Sequence, residues 1–451
     1  MKDLIFSKIF LYSLFLILPS YLVGIAATEL LTISLVIAFL FMNKNFIYFK
    51  NIKFIFLIIF SLLVTLSGII NLDSKDLKIA SYVHIRFAIF SIAIFYFLEK
   101  FFNTENNISK NFLKFFLFIV SFIIFDSLIQ FFFGSNLFGQ EIHKFRVSGI
   151  FGEELILGSF LLQLLPLTFL LLLFSSVSIE KKQIYLIIFF SFYFITIYIS
   201  GGRSPFFLTI LFLIIMVLLE KNFRKIILKC LTILMIFIIC EAFFEFGKSR
   251  IFHKVFVITF IQFTDSYYHP KNELDNSNSR KREKTYNKDI TNELSLKNKA
   301  KEFFDSLVVF SNDHQNHYVL ALKLFKEKPI LGNGPKGFRQ YCRKVNYDPP
   351  TGVCSTHPHN YFFQVLSELG LLGILFYLFG IFFIIFKSIS LKYKRSKNLT
   401  ISSFQIISIG LFVLLTPLVP SGNFFNNWLS IVNYYYIGMY IYFYNQTYLK
   451  N

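Results

Sequence analysis

Two histidines open the stretch His357-Pro358-His359-Asn360-Tyr361-Phe362-Phe363-Gln364, which continues through Glu368, Gly370 and Gly373 into apolar sequence. An imidazole titrates close to neutral pH, so the pair offers a proton acceptor at the head of a membrane-length segment. Pro358 has no backbone donor and suits a first helical turn, which predicts a helix from there to about Phe386. Asn360, Gln364 and Glu368 then fall at i, i+4 and i+8 on one face, a costly arrangement if that face met lipid. Asn360 and Gln364, with His357, are therefore candidates for substrate contact. The alternatives for the histidines are a solvated loop or a metal pair. The His-Pro-His spacing points the rings apart and no acidic or thiolate shell is at hand, so no metal is expected.

A second candidate is the turn Ser200-Gly201-Gly202-Arg203-Ser204-Pro205. Its glycines let backbone N–H groups converge at a helix N-terminus, where the helix dipole favours an anion, and a guanidinium grips phosphate oxygens two at a time. The alternative is an interfacial arginine snorkelling from a tight turn. A third cluster runs from Lys144 through Arg146, Ser148, Gly149 and Gly152 to Glu153 and Glu154. It reads either as substrate binding through Arg146 or as a turn held by a local ion pair.

The elements that must hold these groups follow from composition. The chain has 451 residues, is 55% hydrophobic and carries a net charge of +19, with mean hydropathy +0.60. That excludes an ordinary soluble globule and predicts an all-α polytopic membrane protein of about 12 transmembrane helices with one large loop. Apolar runs lie near 4–18, 25–42, 54–70, 79–98, 112–133, 155–174, 184–200, 205–219, 226–246, 361–386, 401–419 and 428–446. The charge would suggest nucleic acid in a soluble protein, but here the cations sort by connection. Lys44, Lys50 and Lys53, then Lys100, Lys110 and Lys114, then Lys181 and Lys182, and later Lys387 to Lys397 occupy alternate connections. By the positive-inside rule those connections and both termini are cytoplasmic, and Arg203 and the segment 247–358 lie outside. The chain divides accordingly into 1–246, 247–358 and 359–451, with membrane lipids rather than nucleic acid around it.

Within the large loop, residues from about 265 to 302 are polar and read as a weakly structured insert. Tyr318, Ala321, Leu322, Leu324 and Phe325 against Lys323, Lys326 and Lys328 predict an amphipathic helix on the outer leaflet, ended by Pro329. Cys342 and Cys354 lie in this loop and are expected to form a disulfide, against the alternative of two free thiols. Glu29, His84, Arg86 and Asp126 are expected to pair inside the bundle.

With these residues assembled, the chain resembles the O-antigen ligase and O-antigen polymerase superfamily of bacterial envelope glycosyltransferases. The resemblance rests on His359-Asn360 followed after nine residues by Gly370 and after two more by Gly373, and on the Ser-Gly-Gly-Arg203 turn. It also rests on Lys328-Pro329-Ile330-Leu331-Gly332-Asn333-Gly334 and on Arg146 to Gly152. The resemblance implies a GT-C-like architecture in the bacterial inner membrane and a metal-independent, inverting transfer without cofactor, from a glycan on undecaprenyl pyrophosphate. It implies His359 as base and Arg203 on the leaving pyrophosphate at the periplasmic face. One departure concerns an arginine that the family places ahead of the amphipathic helix, where this chain has Asp313-His314-Gln315-Asn316-His317. His314 or His317 substitutes for it, or Arg339 or Arg343 supplies the charge.

A ligase would deliver the glycan to a lipid A-core acceptor and a polymerase to a growing glycan; the shared motifs do not separate them. The rival of another class is a lipid-linked glycan transporter, which calls for charges at mid-membrane rather than at one face.

Overall fold

In lipid every backbone N–H and C=O must be satisfied within the chain, and long apolar runs meet that demand as helices. Each apolar run read from the sequence contains helix in the computed structural model, which describes residues 2–43, 47–73, 75–102, 108–143, 146–174, 183–247, 250–260, 312–344, 354–391, 398–417 and 419–449. The expected polar insert at 265–302 lies outside the described residues, as do Lys44, Lys144, Phe145, Lys181 and Lys182.

The helices are α1 Lys2–Leu16, α2 Ile25–Met42, α3 Ile52–Asn71, α4 Lys75–Tyr82, α5 Ile85–Phe101, α6 Lys110–Phe133, α7 Leu157–Leu173 and α8 Gln183–Ile199. There follow α9 Arg203–Leu219, α10 Arg224–Phe244, α11 Asn312–Glu327, α12 Gly337–Lys344, α13 Tyr361–Ser390, α14 Leu399–Leu414 and α15 Asn427–Tyr448. No strand is assigned among the described residues. Among the described residues six helices are long and apolar enough to cross a membrane, α13 among them. Phe41, Phe118 and Phe382 are 80%, 66% and 65% exposed on such helices, as lipid-facing side chains are. The expected run at 79–98 begins on α4, and a turn at Val83 and His84 separates it from α5.

The core gathers around α15, which packs on α5 and α14. Two of its tyrosines bury their rings and donate their hydroxyls to neighbouring backbones: Tyr436 Oη to Gln163 O at 2.5 Å and Tyr442 Oη to Phe102 O at 2.8 Å. A buried aromatic ring with one polar tip thus ties helices together. The in-bundle pairings expected for the polar residues are found: Arg86 Nη2 meets Glu29 Oε1 at 3.2 Å. His84 Nε2 lies 3.2 Å from Tyr434 Oη, and Asp126 Oδ2 accepts from Asn136 at 3.2 Å.

Two expectations change. Helix α13 begins at Tyr361 rather than at Pro358, because Asn360 is its N-cap and accepts from Phe362 N at 2.9 Å and Phe363 N at 3.3 Å. An Asx cap outcompetes a proline first turn here by satisfying two of the helix's orphan donors. The amphipathic helix α11 does not lie with its apolar face on a lipid surface. Tyr318, Leu320, Ala321 and Leu324 are buried, with Phe338 and Phe363 packed against them. Tyr318 stacks on Phe363 of α13 at 4.4 Å. An apolar stripe of that width is satisfied equally by lipid or by a neighbouring helix, and periodicity alone does not choose.

Helix α13 is also broken, at Gly370 (φ 65°, ψ −158°). The turn after α11 inserts into the gap: Leu371 N donates to Pro329 O at 2.7 Å and Leu372 N to Ile330 O at 3.3 Å. In exchange Asn333 N donates to Ser367 O at 3.0 Å and Gly334 N to Glu368 O at 2.9 Å. The broken ladder is thereby re-satisfied by another segment, as a break in an apolar helix requires.

Candidate functional site

The inserted turn fixes α11 over the head of α13 and brings four imidazoles together. The ring centroid of His359 lies 4.1 Å from His357, 5.3 Å from His317 and 5.8 Å from His314. The His-Pro-His spacing predicts that the two rings of His357 and His359 point apart, and the structure brings them together. The backbone at His359 takes a left-handed conformation (φ 56°), which reverses the chain and folds both rings to one side. Such a conformation costs a non-glycine residue of the order of 1–3 kcal/mol and is held only by surrounding structure. Here that structure is Ser421 N, which donates to His359 O at 2.9 Å, and the Asn360 cap next door. Among the described residues no group of His, Cys, Asp and Glu has the arrangement of a metal shell.

Burial, together with the neighbouring His317 and His314, holds His359 down to about 4. Burial and the adjacent His359 hold His357 down to about 3, with Arg339 and His317 pushing the same way and the Ser421 backbone opposing. Its Nδ1 pairs with Thr356 Oγ1 at 2.9 Å. Both rings are therefore neutral near pH 7, the form in which an imidazole accepts a proton.

Asn360 and Gln364 sit beneath this cluster as braces. Asn360 Nδ2 donates to Pro417 O at 2.9 Å. Gln364 Nε2 donates to Glu368 Oε2 at 3.0 Å and to Asn423 Oδ1 at 2.8 Å, while its Oε1 accepts from Phe424 N at 2.9 Å. Their polar atoms tie Pro417, Asn423 and Phe424 to α13, on either side of Ser421 under His359. Glu368 also accepts from Phe338 N at 3.2 Å, which anchors the start of α12. The far end of α12 is fastened by a disulfide between Cys342 and Cys354, whose Cα atoms are 5.5 Å apart.

The arginine turn is built from other elements. Gly202 caps α9, so Arg203 occupies its first position. Arg146 reaches across the same turn: its Nε donates to Ser200 O at 3.1 Å and its Nη2 to Leu155 O at 2.9 Å. Burial, and then the Arg203 charge, pull the Arg146 guanidinium below its usual range, so the two cations share one neighbourhood. Arg203 Nη1 donates to Thr259 Oγ1 at 3.4 Å, and Lys254 lies against Gly201 beside Arg146. Lys254 lies within a π-helical turn, His253–Val257, and Thr259 just after it, and no sequence signal pointed to them. Of the candidates for the missing loop cation, His314 and His317 come to His359, and Arg339 comes to the neighbourhood of His357.

The helical bundle thus gathers neutral imidazoles at the head of α13 and two arginines at a glycine turn. Residues 187–378 match the family model described as O-antigen ligase, a stretch that contains the arginine turn, α11, α12 and His359 to Gly373. The resemblance read from the sequence is borne out over that stretch. No curated protein matches the chain.

Proposed function

We propose that the protein is an O-antigen ligase-type glycosyltransferase, moving a glycan from undecaprenyl pyrophosphate to a lipid A-core acceptor at the periplasmic face of the inner membrane. The reading takes a GT-C-like bundle of about 12 spans with both termini cytoplasmic, as the alternation of cationic connections supports. The observation that carries it is the neutral, conformationally constrained His359 at the head of α13 within the matched domain.

In this reading the acceptor hydroxyl attacks the anomeric carbon of the donor glycan and its proton passes to His359. The bond from that carbon to the phosphate oxygen breaks with inversion, and the electron pair leaves on the pyrophosphate. Arg203 and Arg146 face that developing charge. A positioned general base contributes typically about 10²–10⁴-fold, and a donor aimed at developing charge about 3–4 kcal/mol. His357 orients His359, while Asn360 and Gln364 hold the floor.

The test is reconstitution of the pure protein with lipid-linked glycan and lipid A core. Transfer to the core supports the ligase; lengthening of the glycan makes the protein a polymerase of the same superfamily. Movement of the lipid across the bilayer without bond formation would overturn the enzyme reading.

A further inference from the structure

A second basic group, apart from the arginine turn, stands on the α12 side of the imidazoles. Lys336 precedes α12 with a left-handed backbone (φ 64°), and Arg339 follows three residues later on the first turn. Cations at a helix N-terminus oppose the helix dipole, so this placement does not serve the helix. Burial holds the Lys336 ammonium below the usual lysine range, and the charges of Arg339 and Arg86 add to that, with Glu368 opposing. Glu368 is already engaged by Gln364 Nε2 and Phe338 N. Arg86 reaches in from the start of α5, its Nη2 shared between Glu29 and Asn427. Both guanidinium groups flanking Lys336 keep a buried donor without an acceptor, the Nε of Arg86 and the Nε of Arg339. Buried donors in native proteins are nearly always paired, and two orphans on guanidinium groups whose charges both act on the half-buried Lys336 call for an acceptor of negative charge.

We propose that Lys336, Arg339 and Arg86 form an anion site that takes a phosphoryl group presented beside His357. As an acceptor-side site it rests on the glycosyl-transfer reading; as an anion site it does not. A phosphoryl group meets the requirement of the three cations, since its several oxygens accept from two guanidinium forks and an ammonium together. Its source is either a soluble or glycan-borne phosphate or a lipid headgroup.

The experiment uses the full chain in phosphatidylcholine nanodiscs and titrates inorganic phosphate. Trp428 is the single tryptophan of the chain and adjoins Asn427, the residue Arg86 holds, so its fluorescence reports on this site. The wild type should show a saturable change. Lys336→Gln and Arg339→Gln should each raise the midpoint about tenfold or more, the scale of one charge-assisted hydrogen bond, and Lys336→Arg should keep it near the wild-type value. Arg203→Lys should leave it unchanged. An unchanged midpoint in both Gln variants, or a shift in Arg203→Lys alone, overturns the proposal.

Replacing part of the phosphatidylcholine by phosphatidic acid separates the sources. Competition with inorganic phosphate in the wild type, lost in Lys336→Gln, assigns the site to a lipid headgroup. Absence of competition assigns it to a soluble or glycan-borne phosphate. In the transfer assay the Gln variants should raise KM for the acceptor and leave KM for the donor; an equal rise in both would overturn the acceptor assignment while the fluorescence titration still decides the anion site.

Discussion

Gly332 and Gly370 lie against each other backbone to backbone. A methyl group on Gly332 would stand 2.4 Å from the carbonyl carbon of Glu368 and the nitrogen of Leu369, and one on Gly370 2.6 Å from the nitrogen of Gly332. Both also have left-handed φ, 66° and 65°. Neither residue can carry a side chain, and the contact holds α11, with its histidines, over His359.

Gly332→Ala and Gly370→Ala should therefore each destabilise the protein by about 2–5 kcal/mol, the sum of backbone strain and forced repacking. Thermal unfolding in detergent would measure it. A melting temperature equal to wild type in either variant would mean that the turn yields and the interlock is not rigid.

His359→Ala should abolish transfer while the protein remains inserted and folded. The ring makes contacts with other imidazoles at the site, so its removal leaves the helix cap at Asn360 intact. Normal glycan transfer by this variant would remove the general base from the mechanism.

Arg203→Lys should lower kcat/KM for the lipid pyrophosphate donor by roughly 10–100-fold although the charge is kept, because an ammonium cannot present the bidentate fork. Steady-state kinetics with varied donor would show it. Unchanged donor kinetics would make Arg203 an interfacial residue only.

The pH profile follows from the lowered imidazoles. His359 must be unprotonated to act, so with its ring held down to about 4 the transfer rate should stay flat through pH 6 and fall only as the pH drops towards 4. His317 and His314 face it from α11, and removing either as Gln should move the acid limb upward. Stability has the same sign: the unfolded chain binds protons on these histidines below about 6.5 while the folded one resists, so stability decreases from pH 6.5 towards 4. An acid limb centred at 6.5 in the wild type would show that His359 is solvated.

The apolar runs, the helical class and the residues able to do chemistry were legible in the chain, because hydrophobic length and local spacing are local properties. His357, His359, Arg203 and Arg146 stood out by type and neighbours, as did the glycines of 332 and 370. What the order of residues did not contain was which segment satisfies which. Asn360 and Gln364 read as ligand contacts, and the structure shows them holding Pro417, Asn423 and Phe424, since hydrogen-bond partners about 60 residues away leave no local trace. Lys254 joins the arginine turn through a segment that carries no motif. The histidines of α11 meet His359 only because a glycine break in α13 is filled by another turn, a long-range exchange of backbone hydrogen bonds that tertiary structure alone decides.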